Sequence, residues 1–221
     1  MNTSKPSVDT RQEKIATIAA FTARGDLPKL EKSLNDGLDA GLTISEIKEI
    51  LIQLYAYTGF PRSLNGIQTF MTVLAERQRQ GVTDPAGESP ALLAAGINRD
   101  EYGEKVRMTL SGITELPPKS GYSLFAPAID TFLKDHLFAD IFSRGVLDYT
   151  DREIATISAL AALSGTENQL HYHLNAAMNV GVTPEQLEKV LNLLNDEVGT
   201  DEAETTRNVY KKVLEKRYSS Q

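Results

Sequence analysis

Apolar side chains recur at intervals of three or four residues along the first third of the chain. This spacing is the period of a helix that buries one face. The positions on it are Ile15, Ile18, Ala19 and Thr22; Leu27, Leu30, Leu34 and Leu38; Ile47, Ile50, Leu51 and Leu54; and Ile67, Phe70, Met71 and Leu74. Gly41 stands where the second helix would end, and Thr43 with Glu46 forms a capping box that opens the third. Because Gly59 and Pro61 then interrupt the pattern, we predict four helices here.

The last third of the chain repeats this scheme. Thr150 and Glu153 have the spacing of a capping box before a helix that begins near Ile154. The later stripes and their cap comprise Leu170, Leu174 and Met178, then Thr183, Pro184 and Gln186, then Leu187, Val190, Leu191 and Leu194. Helical pieces around 102–110 and 129–142 lie in the connecting region. We therefore predict an all-α protein with a first unit at 1–80, a linker at 81–100 and a second unit at 101–221.

Two segments about 140 residues apart, 30–43 and 170–183, are versions of one another. Identical residues stand at Leu30 and Leu170, Leu34 and Leu174, Asn35 and Asn175, Gly41 and Gly181, and Thr43 and Thr183. Ser33 matches His173, so only the second copy carries histidine. A period of this length is too long for a solenoid repeat and favours duplication of a whole domain. The predicted architecture is a pair of tandem duplicated helical units.

Composition narrows the classes of function. The 221 residues carry a net charge of -7, with Lys and Arg dispersed among acids, which disfavours a nucleic-acid groove. No apolar run approaches the roughly 20 residues of a membrane span, and the first six residues lack a secretory signal and look like a short flexible tail. The absence of cysteine excludes disulfides and thiolate chemistry. We expect a cytoplasmic protein with no nucleic-acid or membrane partner.

Several segments carry a more specific signal. These are residues 152–165 followed by 169–183, residues 103–107 with Gly112, residues 138–142 with 147–148, and the turn at 55–61. Together they resemble the carboxymuconolactone decarboxylase family, whose fold also serves alkylhydroperoxidases. The resemblance implies an all-α, alkylhydroperoxidase-like fold and assembly through its helices, commonly as trimers or hexamers. For two tandem units in one chain, it implies a homotrimer of six units or another homo-oligomer.

The peroxidase relatives use two cysteines three residues apart and a histidine four residues after the second. In that register the cysteine positions are Thr166 and Gln169, while His173 matches the histidine and Glu153 matches an acidic residue on the preceding helix. Reduction of a peroxide through a sulfenic acid and a disulfide needs both thiols. A peroxidase assignment would therefore rest on the family name alone, without support from the residues of this chain.

The family instead suggests a decarboxylase or lactone-processing enzyme that acts on a small carboxylic acid or lactone without a cofactor. Such a reaction needs a proton delivered to carbon as carbon dioxide leaves, and donors aimed at the developing oxyanion. The predicted catalytic residues are His173 as general acid or base, Glu153 to fix its tautomer and Gln169 to orient it. The predicted substrate-binding residues are Arg152, Tyr57 and Thr166. A metal site is not predicted, because His171 lies about 200° around the helix from His173.

Each of these residues also has a structural interpretation. Glu153 stands at the third position of the predicted capping box, and Arg152 is by default a surface residue. His173 without the family register would be a packing residue, and His136 precedes an apolar run and is typical of a surface position. A non-catalytic family member, retained for assembly or for binding a small acid, is therefore the alternative.

The two units keep different features of the family. The first keeps the tyrosine, glycine and proline turn at 55–61 without the histidine, whereas at the same offset the second keeps only Gly199 of that turn. The functional interpretation places Tyr57 beside the histidine of another unit, as a wall or a donor. We therefore expect composite sites formed between unlike units.

Overall fold

The computed structural model describes residues 8–219. The helices are α1 (Val8–Arg24), α2 (Leu27–Asp39), α3 (Ile44–Arg79), α4 (Arg99–Ser111), α5 (Tyr122–Phe125), α6 (Pro127–Thr131), a π-helix (Phe132–Ile141), α7 (Tyr149–Ala161), α8 (Glu167–Asn179), α9 (Pro184–Val198) and α10 (Thr200–Ser219). A short 3₁₀ turn, Phe142–Arg144, follows the π-helix. No strand occurs in this range, so the all-α prediction is confirmed. The predicted N-terminal tail lies outside the described residues.

The predicted break at Gly59 is a sharp reversal of α3. Gly59 has φ 76° and ψ 161°, a conformation that is open almost only to glycine. The Ser63 hydroxyl donates to the Leu51 carbonyl at 2.7 Å, although twelve residues of straight helix would separate them by about 18 Å. The predicted third and fourth helices are therefore the two arms of α3, 44–58 and 60–79.

Equivalent local features recur at the offset found in the sequence. α2 and α8 are each 13 residues long and begin at Leu27 and Glu167. Thr43 and Thr183 both form the capping boxes that the sequence predicts, each with a glutamate or glutamine three residues later. Gly199, which matches Gly59, separates α9 from α10 with φ 145°. The last 20 residues of the described chain form α10, the fourth helix of the second unit, which the repeated scheme predicts although no apolar stripe was assigned to it.

One apolar core joins the two predicted units. α1 packs against α7 and α9 of the second unit as well as against α2 and α3, and α3 packs against α7. The core takes buried side chains from both units, among them Ile18, Leu34, Leu51, Ile157 and Leu174. Burial of apolar surface across this interface means that neither unit has a complete core of its own.

A second, smaller cluster lies over α8. Its buried members are Val106, Leu110, Leu137, Phe138, Ile141, Phe142 and Ala176, contributed by α4, the π-helix, the 3₁₀ turn and α8. Tyr55, Tyr57 and Tyr172 pack against it. This cluster borders the helix segment that carries His173, and it therefore shapes the surroundings of the candidate site.

The linker is more ordered than its composition suggests. The backbone carbonyls of Pro85 and Ala86 accept hydrogen bonds from the backbone amides of Ile44 and Ser45 at 3.0 and 2.9 Å, and so satisfy free donors in the first turn of α3.

Among residues 8–219, no helix is both long and apolar enough to cross a bilayer. Two predicted core positions are wrong. Leu27 is 37% exposed at the first position of α2, and Met71 is 57% exposed because it points away from the core on the second arm of α3.

Candidate active site around His173

A buried hydrogen bond joins the two residues that matched the family register. Glu153 lies on α7 and His173 on the adjacent α8, and the distance from Glu153 Oε2 to His173 Nδ1 is 2.7 Å. The Glu153 side chain has no exposed surface and the His173 side chain is 6% exposed. A carboxylate bound to one imidazole nitrogen fixes the ring orientation and directs the other nitrogen, Nε2, outward as the reactive atom.

Glu153 is not a helix cap. α7 begins at Tyr149, and its cap is Asp148, whose carboxylate accepts a hydrogen bond from the Asp151 amide at 2.8 Å. The prediction of a capping box at Thr150 and Glu153 is therefore wrong, because an acidic side chain two residues earlier already binds the free amides of the first turn. Glu153 lies one full turn inside the helix, with its carboxylate directed at α8.

Two tyrosine rings flank His173 edge-on. Tyr57, from the first arm of α3, places its ring centroid 5.4 Å from that of the imidazole, and Tyr172 lies at 5.1 Å on another side. Tyr172 is also bonded to Ser111 of α4, with 3.2 Å between the two hydroxyl oxygens. The structure thus brings a side chain of the first unit against the histidine of the second within one chain.

Unpartnered polar atoms collect around this pair. Tyr57 Oη, Glu153 Oε1 and Arg152 Nε are buried and make no hydrogen bond of acceptable geometry with any residue between 8 and 219. His173 Nε2 likewise has no hydrogen bond within the described chain, although the ring keeps a small exposed edge. Burial raises the pKa of the Tyr57 hydroxyl far above its usual range and the charge of Glu153 raises it further, while the nearby Thr156 hydroxyl lowers it in part. Tyr57 is therefore a neutral donor near an imidazole with a free nitrogen.

Arg152 is fully buried, so its interpretation as a surface residue is wrong. Its guanidinium donates from Nη1 to Gln53 Oε1 at 2.8 Å and from Nη2 to Glu49 Oε2 at 3.3 Å. Glu49 also binds Arg144, with bonds of 2.8 to 3.0 Å from two guanidinium nitrogens. Burial lowers the pKa of Arg152, while Glu49 opposes that shift. The carboxylate of Glu49 and the side-chain amide of Gln53 thus compensate most of the cost of burying the Arg152 charge.

Three residues on α3 form a group that the sequence analysis did not predict, although it named Tyr57 singly. Glu49, Gln53 and Tyr57 are spaced by four residues and therefore share one helix face. Gln53 also donates to the Arg152 carbonyl at 2.9 Å and to Thr156 Oγ1 at 2.8 Å. Glu49 and Gln53, four residues apart in the mostly apolar segment 49–57, are a signal that could have identified this face.

Thr166 and Gln169, at the two cysteine positions of the peroxidase relatives, lie at the start of α8. The Thr166 hydroxyl donates to the Leu160 carbonyl at 2.9 Å and so helps to close the turn between α7 and α8. Gln169 is exposed, one turn before His173. Neither side chain makes a hydrogen bond with His173 or Glu153 in residues 8–219.

The other histidines lie apart from this site. The His136 side chain is 50% exposed and pairs with Asp140 one turn along the π-helix, at 3.1 Å. His171 is partly buried on α8. Within residues 8–219, no group of three or more histidine or acidic side chains has the geometry to hold a metal ion.

Comparison with known families bears directly on this helix pair. The sequence model of the carboxymuconolactone decarboxylase family matches residues 127–212, a range that contains α7, α8, Glu153 and His173. This part of the chain is similar to that family. Tyr57, Gln53 and Glu49 lie outside the match, although they contact its core from α3. A search of curated proteins found no match to the chain.

The carboxymuconolactone decarboxylase segment accordingly spans the helices that carry most of the predicted site. Arg152, Glu153, Thr166, Gln169 and His173 all fall inside it. The chain has no cysteine, so it lacks the thiols that a peroxidase of this fold requires.

Proposed function

We propose that this carboxymuconolactone decarboxylase-like protein is a cofactor-free decarboxylase or lactone-processing enzyme acting on a small carboxylic acid. The observation that carries the proposal is the 2.7 Å hydrogen bond between Glu153 and His173 Nδ1, which leaves Nε2 free in a site that the Tyr57 ring borders at 5.4 Å between ring centroids. A buried carboxylate–histidine pair with one free nitrogen is suited to transfer a proton to and from a bound substrate.

In the decarboxylation, the bond between the substrate carbon and its carboxylate breaks, and its electron pair moves into a conjugated carbonyl to give an enolate. Carbon dioxide leaves, and the proton on His173 Nε2 passes to the carbon that bore it. His173 then recovers a proton from solvent. Glu153 stabilises the imidazolium through Nδ1, and Tyr57 donates to the enolate oxygen, because its raised pKa keeps the phenol protonated.

The remaining predicted residues would bind the substrate. Arg152 keeps one unpartnered N–H, at Nε, that could receive a substrate carboxylate. Gln169 and Thr166 stand at the start of α8, where they would contact the substrate at the entrance to the site. Because Tyr57 belongs to the first unit and His173 to the second, the proposed site is composite within one chain.

An ultraviolet assay with carboxymuconolactone and related lactone acids tests this proposal. The wild-type protein should consume the conjugated absorbance of the substrate. The rate of this loss should be lower by about 100-fold or more in His173→Ala, since general acid catalysis contributes that much. His171→Ala, on the same helix but not paired with Glu153, is the matched control and should stay within about twofold. Equal turnover by the wild-type protein and His173→Ala would overturn the assignment of His173.

The alternative is a non-catalytic family member that binds a small acid or serves assembly. It is favoured by the 6% exposure of the His173 side chain, which leaves little of the ring open to a substrate. Calorimetric titration distinguishes the two functions. Binding of a lactone acid without any turnover would support the alternative.

Self-association as a homotrimer of six units, or as another homo-oligomer, is the second part of the proposal. Phe60, Leu64 and Met71 are each between 57% and 62% exposed and lie along one side of the second arm of α3. A row of large apolar side chains in contact with water is typical of a surface that another protein covers. The resemblance of residues 127–212 to a family whose members commonly assemble through their helices favours a second copy of this chain as the partner that covers these side chains.

A further inference from the structure

A cavity of about 160 Å³ lies outside the His173 site, between α4, the loop that follows it and the start of the π-helix. Its apolar wall consists of Leu116, Pro117, Pro118 and the ring of Tyr122. Its polar wall includes Arg107, Lys119 and Asp130. An apolar cavity of about 150 Å³ holds benzene, so this one fits a ligand with a single small ring.

Asp130 positions the cationic side of the cavity. This carboxylate is 4% exposed and accepts a hydrogen bond from Arg107 Nη1 at 3.0 Å, while Lys119 Nζ lies 3.5 Å from its other oxygen. Arg107 makes no other hydrogen bond within the described chain, so Nη2 and Nε remain available as donors. The Arg107 side chain is 22% exposed and its guanidinium is held over the Phe138 ring, which limits its movement.

The third cation is already paired. Lys134 forms ion pairs with Asp100 and with Glu104, the latter at 3.2 Å. Burial lowers the pKa of Lys134, but its hydrogen bonds with Asp100 and Glu104 outweigh that effect and raise it. The cavity is thus lined by three basic side chains and two acidic ones, Glu104 and Asp130. A nearly balanced local charge favours an anion with one negative charge over a phosphate dianion.

We propose that this cavity binds a small planar monocarboxylate, with the carboxylate on Arg107 and Lys119 and the ring between the prolines and Tyr122. The two free nitrogens of a guanidinium match the two oxygens of a carboxylate, and both hydrogen bonds are strengthened by charge. Pro117 and Pro118 restrict the backbone of one wall, so little ordering entropy is lost when a ligand binds.

The cavity is separate from the proposed reaction site, and the inference goes beyond the proposed function. Neither His173 nor Glu153 lines it. Binding in the cavity requires no proton transfer at His173.

Titration of the wild-type protein with benzoate tests the proposal, followed by calorimetry and by amide chemical shifts. Benzoate should bind with a dissociation constant on the order of 1 mM, as expected for a ligand of this size, and should shift the amides of residues 116–123 most. Benzamide, which has the same shape without the charge, should bind at least about tenfold more weakly. Inorganic phosphate should not compete at equal concentration.

Three variants complete the test. Arg107→Gln should weaken benzoate binding about tenfold or more, and Lys119→Gln, at an exposed position, should weaken it about threefold without affecting folding. Arg62→Gln, an exposed arginine on α3, is the matched control and should leave binding unchanged.

Several results would overturn the proposal. They are no saturable benzoate binding at concentrations of about 20 mM, equal affinity for benzamide, unchanged affinity in Lys119→Gln and Arg107→Gln, or amide shifts confined to α7 and α8. Loss of benzoate binding in His173→Ala would also overturn it, since the carboxylate would then lie in the His173 site. Retained benzoate binding without lactone turnover would disprove the proposed function alone.

Discussion

At the scale of single residues, the Glu153 carboxyl is buried with an incomplete set of hydrogen bonds. Its side chain is fully buried, Oε2 has one partner in His173 Nδ1, and Oε1 has none in the described chain. An ionised carboxylate buried with an incomplete set of hydrogen bonds is unfavourable for folding. Such a group persists where binding or catalysis requires it, and a ligand could supply the missing hydrogen bond.

We predict strong coupling between the two members of this pair. His173→Ala should lower the free energy of unfolding by about 3 kcal/mol, because it leaves the buried charge of Glu153 unpaired. In a Glu153→Gln background the same substitution should cost about 1 to 3 kcal/mol less. Urea unfolding of the wild-type protein, both single variants and the double variant measures this difference.

His171→Ala again serves as the control and should change the free energy of unfolding by less than about 0.5 kcal/mol. Additive effects of His173→Ala and Glu153→Gln would contradict an energetically important bond between the two side chains.

At the scale of elements, the reversal at Gly59 determines what α3 can contact. The first arm presents Glu49, Gln53 and Tyr57 to the second unit, while the second arm returns along the first through Ser63. An uninterrupted helix would carry the second arm away from the core. The backbone conformation of one glycine therefore positions both the wall of the candidate site and the exposed apolar row.

Gly59→Ala should destabilise the protein by about 1 to 3 kcal/mol, because φ 76° with ψ 161° is strained for any residue with a Cβ atom. Thermal unfolding followed by circular dichroism measures the effect. Pro61→Ala is the matched control: Pro61 is exposed and the reversal does not depend on it, so the change should stay below about 1 kcal/mol. A larger loss in Pro61→Ala than in Gly59→Ala would show that the proline maintains the reversal.

At the scale of the whole molecule, the two predicted units share one core and leave a row of apolar side chains on α3 uncovered. Their helices share a single apolar core through α1, α3 and α7. The row of Phe60, Leu64 and Met71 on the outside of α3 is not part of that core. Burial of these side chains in an assembly would remove a large apolar surface from water.

Light scattering after size-exclusion chromatography should give three chain masses for the wild-type protein. Replacement of both Leu64 and Met71 by Gln should shift the protein to a monomer, because it removes much of the apolar surface that a second copy would cover. Leu92→Gln, at a position that is 83% exposed in the linker, should leave the assembly intact. A monomeric wild-type protein would contradict the proposed self-association.

The local pattern of apolar and capping residues was sufficient to predict most of the helices. Stripes of apolar residues identify the buried face of α1, α2 and α9, and the caps at Thr43 and Thr183 mark where two helices begin. These signals depend on neighbours within one or two turns, and the sequence contains them completely. The family register likewise located His173 and Glu153, which the structure brings to 2.7 Å.

Side-chain environments that depend on residues distant in the sequence could not be predicted from local patterns. Arg152 is buried because Glu49 and Gln53, about a hundred residues earlier, compensate its charge. Glu153 is not a cap because Asp148 binds the first turn instead. Met71 continues an apolar stripe but remains exposed, since no described element packs over that side of α3.

The sequence alone was thus enough to establish the all-α fold, the break at Gly59 and the histidine of the second unit, because helical period, capping and backbone freedom are local properties. Tertiary structure was needed to show that Tyr57 meets His173, that Arg152 lies inside the protein and that Arg107 and Asp130 line a cavity. Those relations depend on which helices pack together, and packing is the outcome of burying apolar surface over the whole chain.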